Sequence, residues 1–155
     1  MPDSQELKSL AMAAIDAKSA DLIGIAEHIL NNPEPGFREE KTARFVESKF
    51  EEMKISYQSG IAITGIKAVL DTGRPGPTVA VMGELDSLKV LGHPHADPET
   101  SAAHACGHHC QIAMMLGTAI GLQASGVMDQ LSGRIVLIAV PAEEYIEVEY
   151  RDDLR

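Results

Sequence analysis

Cysteine is scarce in this sequence, with two among 155 residues, and basic residues are outnumbered: 13 Lys and Arg stand against 23 Asp and Glu, a formal charge of −10 at pH 7. Cys106 and Cys110 lie too close in the chain to staple distant parts of a fold. A disulfide scaffold is therefore excluded, and reduced thiols suit a cytoplasmic protein. The acidic balance removes the electrostatic footprint of a phosphate-backbone binder, so nucleic acid is not an expected partner. Long uncharged apolar runs are also missing. None approaches the roughly 18 residues of a membrane span. The apolar opening from Met1 to Leu30 is broken by Asp16, Lys18 and Asp21 and has no basic segment before it, unlike a secretory leader. At 155 residues and 45% hydrophobic content, the chain fits one domain with a real core.

What is present is concentrated. His104-Ala105-Cys106-Gly107-His108-His109-Cys110 holds both cysteines and three imidazoles, and five of the six histidines lie between His93 and His109. Thiolate and imidazole are the ligands that transition metals select, so this stretch is read as a metal site. The plainer reading is a polar loop leading into a helix, with Cys110 as a small buried hydrophobe.

Taken in order, Asp3 and Glu6 resemble a capping box, and apolar residues at helical spacing follow to Leu30, with a break expected near Ser19 or Gly24. His28 sits alone on this helix as a surface or half-buried residue. Pro33-Glu34-Pro35-Gly36 marks a turn, and a second helix follows from about Glu39. Ile66 to Leu70 and Thr78 to Leu85 read as strands joined by a turn at Gly73–Gly76. That pattern predicts a hairpin with Asp86 at its exit. An irregular stretch to Ala103 precedes the metal-like segment. A helix is expected just after Gly107, with Ile112, Met115, Leu116 and Ala119 on its face and both Met114 and Met115 as core filler. Arg134 to Val140 reads as a strand buried on both faces, ending at Pro141 before Glu143 and Glu144.

Helices alternate with strands, so the expected architecture is a layered α/β mixed sheet flanked by helices, with ligands bound beyond the carboxyl ends of the strands. Asp86, the Cys106–His108 turn and the Glu143-Glu144 pair should converge there. One thiolate, one imidazole and one carboxylate make a chemically reasonable open metal shell. A second glutamate is then free to take a proton from water, as hydrolysis requires. Without that convergence, Asp86 is a turn carboxylate and Glu143-Glu144 a solvated strand end. His93, His95 and His104 are expected to line the approach.

Read together, four segments resemble the dinuclear metallopeptidase family that includes aminoacylases, hippurate hydrolases, indole-acetyl-amino-acid hydrolases and aminobenzoyl-glutamate hydrolases. They are Asn32 to Phe37 with Glu40 and Thr42, Gly83 to Leu88, His104 to His108 and Pro141 to Glu144. The resemblance makes Cys106, His108 and Glu144 metal ligands, Glu143 the general base and Asp86 a supporting carboxylate. It further implies a divalent metal, two ions in a complete enzyme, and a small N-acyl or aminoacyl amide as substrate; the thiolate, imidazole and carboxylate set itself admits zinc, manganese, cobalt or nickel. A homo-oligomer is also implied, with residues 1–155 forming the amino-terminal part of a catalytic domain and the lid domain lying elsewhere. The sequence departs from the family pattern at Glu84, Lys89, His109 and Gln111. Two other readings compete: a structural or regulatory zinc module closed by Cys106, His108, His109 and Cys110, and a relative that keeps the fold without catalysis.

Overall fold

The computed structural model describes residues 3–154. Asp3 caps the first helix, α1 (Ser4–Asp16), by accepting the Glu6 backbone N–H on its side chain at 2.8 Å. The expected break falls at residues 17–18, and α2 (Ser19–Leu30) buries Ile25 and Ile29 on one face. His28 is exposed and stacks on Phe45 at a centroid distance of 4.0 Å. Helix α3 (Glu40–Glu52) directs Ala43, Val46 and Phe50 inward. Its entrance is capped by the Glu34 carboxylate, which accepts the Lys41 and Thr42 N–H groups and the Thr42 hydroxyl. These are free donors of a helix start, and an anion beside them also complements the helix dipole.

One sheet carries the strands β1 (Tyr57–Ile61), β2 (Gly65–Asp71), β3 (Thr78–Glu84) and β6 (Arg134–Val140), in the order β1-β2-β6-β3. The predicted hairpin between β2 and β3 does not form. The strand β6 lies between them, antiparallel to β2 and parallel to β3. An apolar strand with hydrogen-bonding groups on both edges is best satisfied at the sheet centre. The loop 72–77 bridges over its start, where Thr72 N–H donates to Gly133 O and Arg134 N–H to Pro77 O. The hairpin that does form joins β1 to β2. Its turn puts Ala62 and Ile63 at φ of 49° and 84°. No Asn-Gly or Asp-Gly pair announces it.

A short pair, β4 (Leu88–Lys89) with β5 (Ala102–Ala103), stands apart from the main sheet. Helix α4 (His108–Ala124) then crosses back between β3 and β6 as the helix of a βαβ unit. It buries Ile112, Met115, Leu116 and Ala119, whereas Met114 is 64% exposed, contrary to expectation. Met114 falls off the stripe that its neighbours share at 100° per residue. After the short turn of 3-10 helix at Val127–Gln130 and β6, a last helix, α5 (Val148–Asp153), lies at the surface.

Helices α2, α3 and α4 share one core with Ile66, Ala68, Leu70, Leu137 and Ala139, which lie on a single face of the sheet. Complete burial of a side chain such as Leu116 or Phe50 contributes about 1.5–3 kcal/mol. The opposite face exposes Val69 and Met82. Alternation is therefore clean in β2, while the central β6 is at least half-buried at every position after Arg134. No helix among the described residues is long and apolar enough to cross a membrane.

Candidate metal and catalytic site

Parallel pairing of β3 with β6 aligns Glu84 with Val140, so both strands deliver their following residues to the same end of the sheet. Asp86 follows the first, and Glu143 and Glu144 follow the second. Between them, Gly107 adopts φ +93° and starts α4, turning Cys106 and His108 toward the same point. A residue at Gly83 with a Cβ would come within 3.1 Å of Gln111 and Ile112. That close approach sets the helix start against the strand end.

His108 is the hub. Its side chain is 4% exposed, and its Nδ1–H donates to the Asp86 carbonyl oxygen at 2.9 Å. Asp86 Oδ1 is 3.2 Å from the same nitrogen but makes no hydrogen bond of its own. Asp86 Oδ2 accepts the Glu144 backbone N–H at 3.0 Å. On the other side of the ring, Nε2 is 2.8 Å from Glu84, 3.6 Å from Glu144 and 4.0 Å from Glu143. The side chains grade outward: Asp86 is fully buried, Glu84 and Glu144 are 23% and 22% exposed, and Glu143 is 49% exposed.

These contacts set the proton affinities. The Asp86 carboxylate beside it pushes His108 up to about 9, against burial and with help from the Asp86 carbonyl and Glu84. Burial opposes the charge on Asp86, yet His108 and the Glu144 N–H hold its carboxyl below the ordinary value. A hydrogen bond to Glu144 pushes the Cys106 thiol up to about 11, aided by partial desolvation and the surrounding carboxylates. His104 is pushed down to about 4, first by burial and then by the charges of His109 and His108.

Two sets of donor atoms lie within 4.8 Å of one another: Cys106, His108 and Glu144, and Glu84, His108 and Glu143. The donor chemistry suits a divalent cation. Four carboxylates surround one imidazole, which carries at most a single positive charge, and Asp86 Oδ1 has no hydrogen-bond donor among the described residues. The Asp86 carbonyl also fixes the ring tautomer that leaves Nε2 available as a ligand.

All five residues singled out from the sequence, Asp86, Cys106, His108, Glu143 and Glu144, are thus brought together. The other histidines of the 93–109 stretch are not. His104 is buried rather than lining an open approach, neither of its ring nitrogens has a hydrogen-bond partner among the described residues, and its ring lies 5.5 Å from that of His109. His93 is partly buried and His95 exposed in the 91–95 turn, and neither is in a donor set. Cys110 is exposed, not a buried hydrophobe. Neither it nor His109 joins Cys106 and His108 in a donor set, because successive helical residues fan out by 100°. Glu84 was legible only as a departure from the family pattern. Its signal was the spacing of two from Asp86, which at a strand end keeps two acids on related sides of the chain.

No protein-family profile matches the chain. It is 32% identical over 126 residues to IAA-amino acid hydrolase ILR1-like 5 of Arabidopsis thaliana, covering 79% of this chain and 28% of that protein. It is 32% identical over 143 residues to N-acyl-L-amino acid amidohydrolase of Geobacillus stearothermophilus, covering 90% of this chain and 37% of that protein. Among solved structures, the Bacillus subtilis YXEP protein, described as a dinuclear metal binding peptidase from the M20 family, superposes with a TM-score of 0.73. The identity there is 26%, over 90% of this chain and 41% of that one. The chain therefore spans about a third of the length of these relatives.

Proposed function

Because this chain belongs to the dinuclear metallopeptidase and amidohydrolase family, we propose that its protein hydrolyses the amide bond of a small N-acyl or aminoacyl substrate. The observation that carries the proposal is the convergence of Cys106, His108 and Glu144 within ligand distance of one another, beside a freer Glu143. Cys106, His108 and Glu144 would hold a divalent metal. Bound there, the metal would polarise the amide carbonyl and render a nearby water more acidic.

The roles of the side chains follow from their placement. Asp86 holds His108 by its carbonyl and the Glu144 backbone by its carboxylate, so it orients two donors at once. Glu143, half exposed and 4.0 Å from His108 Nε2, takes a proton from the attacking water and passes it to the departing amine nitrogen. Oxygen from water bonds to the carbonyl carbon as the carbon–nitrogen bond breaks, which leaves a carboxylic acid and an amine. Glu84, 2.8 Å from His108 Nε2, adds a carboxylate to the same end of the sheet, where it would hold a cation together with His108 and Glu143 as the alternative use of that cluster.

Zinc, manganese, cobalt and nickel all suit a thiolate, imidazole and carboxylate set. Two free cysteines support a cytoplasmic location. The apolar outer face of the sheet, with Val69 and Met82 exposed, supports a homo-oligomer or further covering structure. The share of the relatives spanned supports reading residues 1–155 as one part of a larger catalytic domain. Metal analysis of full-length protein purified without chelator, followed by a screen of N-acyl amino acids and aminobenzoyl-glutamate, tests the proposal. Metal-dependent release of a free amine supports it. Absence of both metal and turnover would reject it in favour of a fold retained without catalysis.

A further inference from the structure

Glu39 is fully buried, and its hydrogen-bond partners are neutral. Its Oε2 accepts the Thr64 hydroxyl at 2.6 Å, and its Oε1 accepts the Ala142 backbone N–H at 2.8 Å. Burying a carboxylate without a counter-charge is costly, so what it holds matters. Ala142 is a non-glycine residue at φ +50°, directly before Glu143 and Glu144. Such a backbone persists only where its surroundings over-determine it.

The surroundings do so from several sides. A Cβ on Gly36 would lie 2.9 Å from the Ala142 Cβ, and one on Gly65 would lie 3.0 Å from Pro141 Cδ. Two residues on, the Glu144 N–H is taken by Asp86. Two buried carboxylates therefore grip the corner at its two ends, with Glu143 between them. The same 34–39 segment reaches the other strand end, because the Glu34 carbonyl accepts both the N–H and the hydroxyl of Ser87, next to Asp86.

We propose that Glu39 is a positioning residue for the Glu143-Glu144 pair: its carboxylate fixes the Ala142 corner from which both glutamates project, and the 34–39 segment brackets the two strand ends. This gives the 34–39 segment a task that no ligand or base role covers. It rests on the hydrolytic reading of that pair.

The test uses Glu39→Met, Glu39→Gln and Thr64→Val in the full-length protein, with kcat, KM and amide hydrogen exchange of residues 142–144 as readouts. Glu39→Met should lower kcat about tenfold or more at nearly constant KM, since small misplacements of reacting groups are this damaging. Exchange at residues 142–144 should accelerate. Glu39→Gln keeps an acceptor for Ala142 and should restore both. Thr64→Val loses only the second hydrogen bond, so it should cost stability with little change in kcat or in that exchange. Normal kcat and protected amides in folded Glu39→Met would overturn the proposal, as would a kcat loss in Thr64→Val that tracks stability alone. If the wild-type protein hydrolyses no amide, the functional reading fails on its own. The exchange pattern then still decides whether Glu39 holds the corner.

Discussion

His108 donates its Nδ1–H to the main-chain carbonyl of Asp86 at 2.9 Å, while the Asp86 carboxylate holds the Glu144 amide. One acidic residue thereby links the imidazole at the start of α4 to the glutamates after β6. The site is built on this link, and the proton affinities of His108 and Asp86 depend on it.

Stability of the metal-free protein should peak near pH 6.5. His108 binds its proton more tightly folded than unfolded, with a value of about 9 against 6.5, so its contribution is complete below 6.5 and lost as pH rises to 9. His104 is shifted the other way, to about 4, so the folded protein loses stability as pH falls from 6.5 to 4. Each shift corresponds to about 3 kcal/mol. Denaturant melts from pH 4 to 9 should show both limbs. His108→Gln should flatten the alkaline one and His104→Gln the acidic one, and limbs that survive these substitutions would refute the assignment.

Metal binding at pH 7 should release protons, because both His108 and the Cys106 thiol are protonated without metal and must be deprotonated to ligate. Calorimetry in buffers of different ionisation enthalpy should report about two protons per ion. Release of none would mean that neither residue is a ligand.

Cys106→Ser should reduce bound metal, and Cys110→Ser should leave it near normal. Both thiols are exposed, yet only Cys106 shares a donor set with His108 and Glu144. Equal losses in metal per chain would favour the closed zinc module.

Gly107→Ala should destabilise the protein by about 1–2 kcal/mol, the cost of a left-handed backbone for a residue with a Cβ. No atom crowds the position, so conformation alone at φ +93° is responsible. Metal affinity should fall too, because this turn presents Cys106 and His108 together. A thermal melt and a metal titration measure the two effects, and unchanged values in both would show that the turn tolerates another backbone.

Much of this was legible beforehand because the decisive signals are local. The Asp3 cap, the start of α4 after Gly107 and the apolar run at Arg134–Val140 each follow from a few neighbouring residues. Strand order was not local. Nothing in Ile66–Leu70 or Thr78–Leu85 reveals that a strand 50 residues later will separate them. For the same reason a glutamate at the expected start of a helix gives no sign that Glu39 is buried. Its burial depends on Thr64 and Ala142, which only the folded chain brings to it. Glu84 fell between these cases, visible as an acid at the right spacing but lacking a partner until His108 was placed.

The account rests on a division of labour between adjacent glutamates, and it is tested most directly by measuring bound metal and turnover side by side for Glu143→Gln and Glu144→Gln in the full-length protein. Glu143→Gln should keep its metal and lose about 10²–10⁴-fold in kcat, the usual contribution of a general base. Glu144→Gln should lose metal and activity together. Equal metal loading in the two variants, or near-normal turnover by Glu143→Gln, would contradict it.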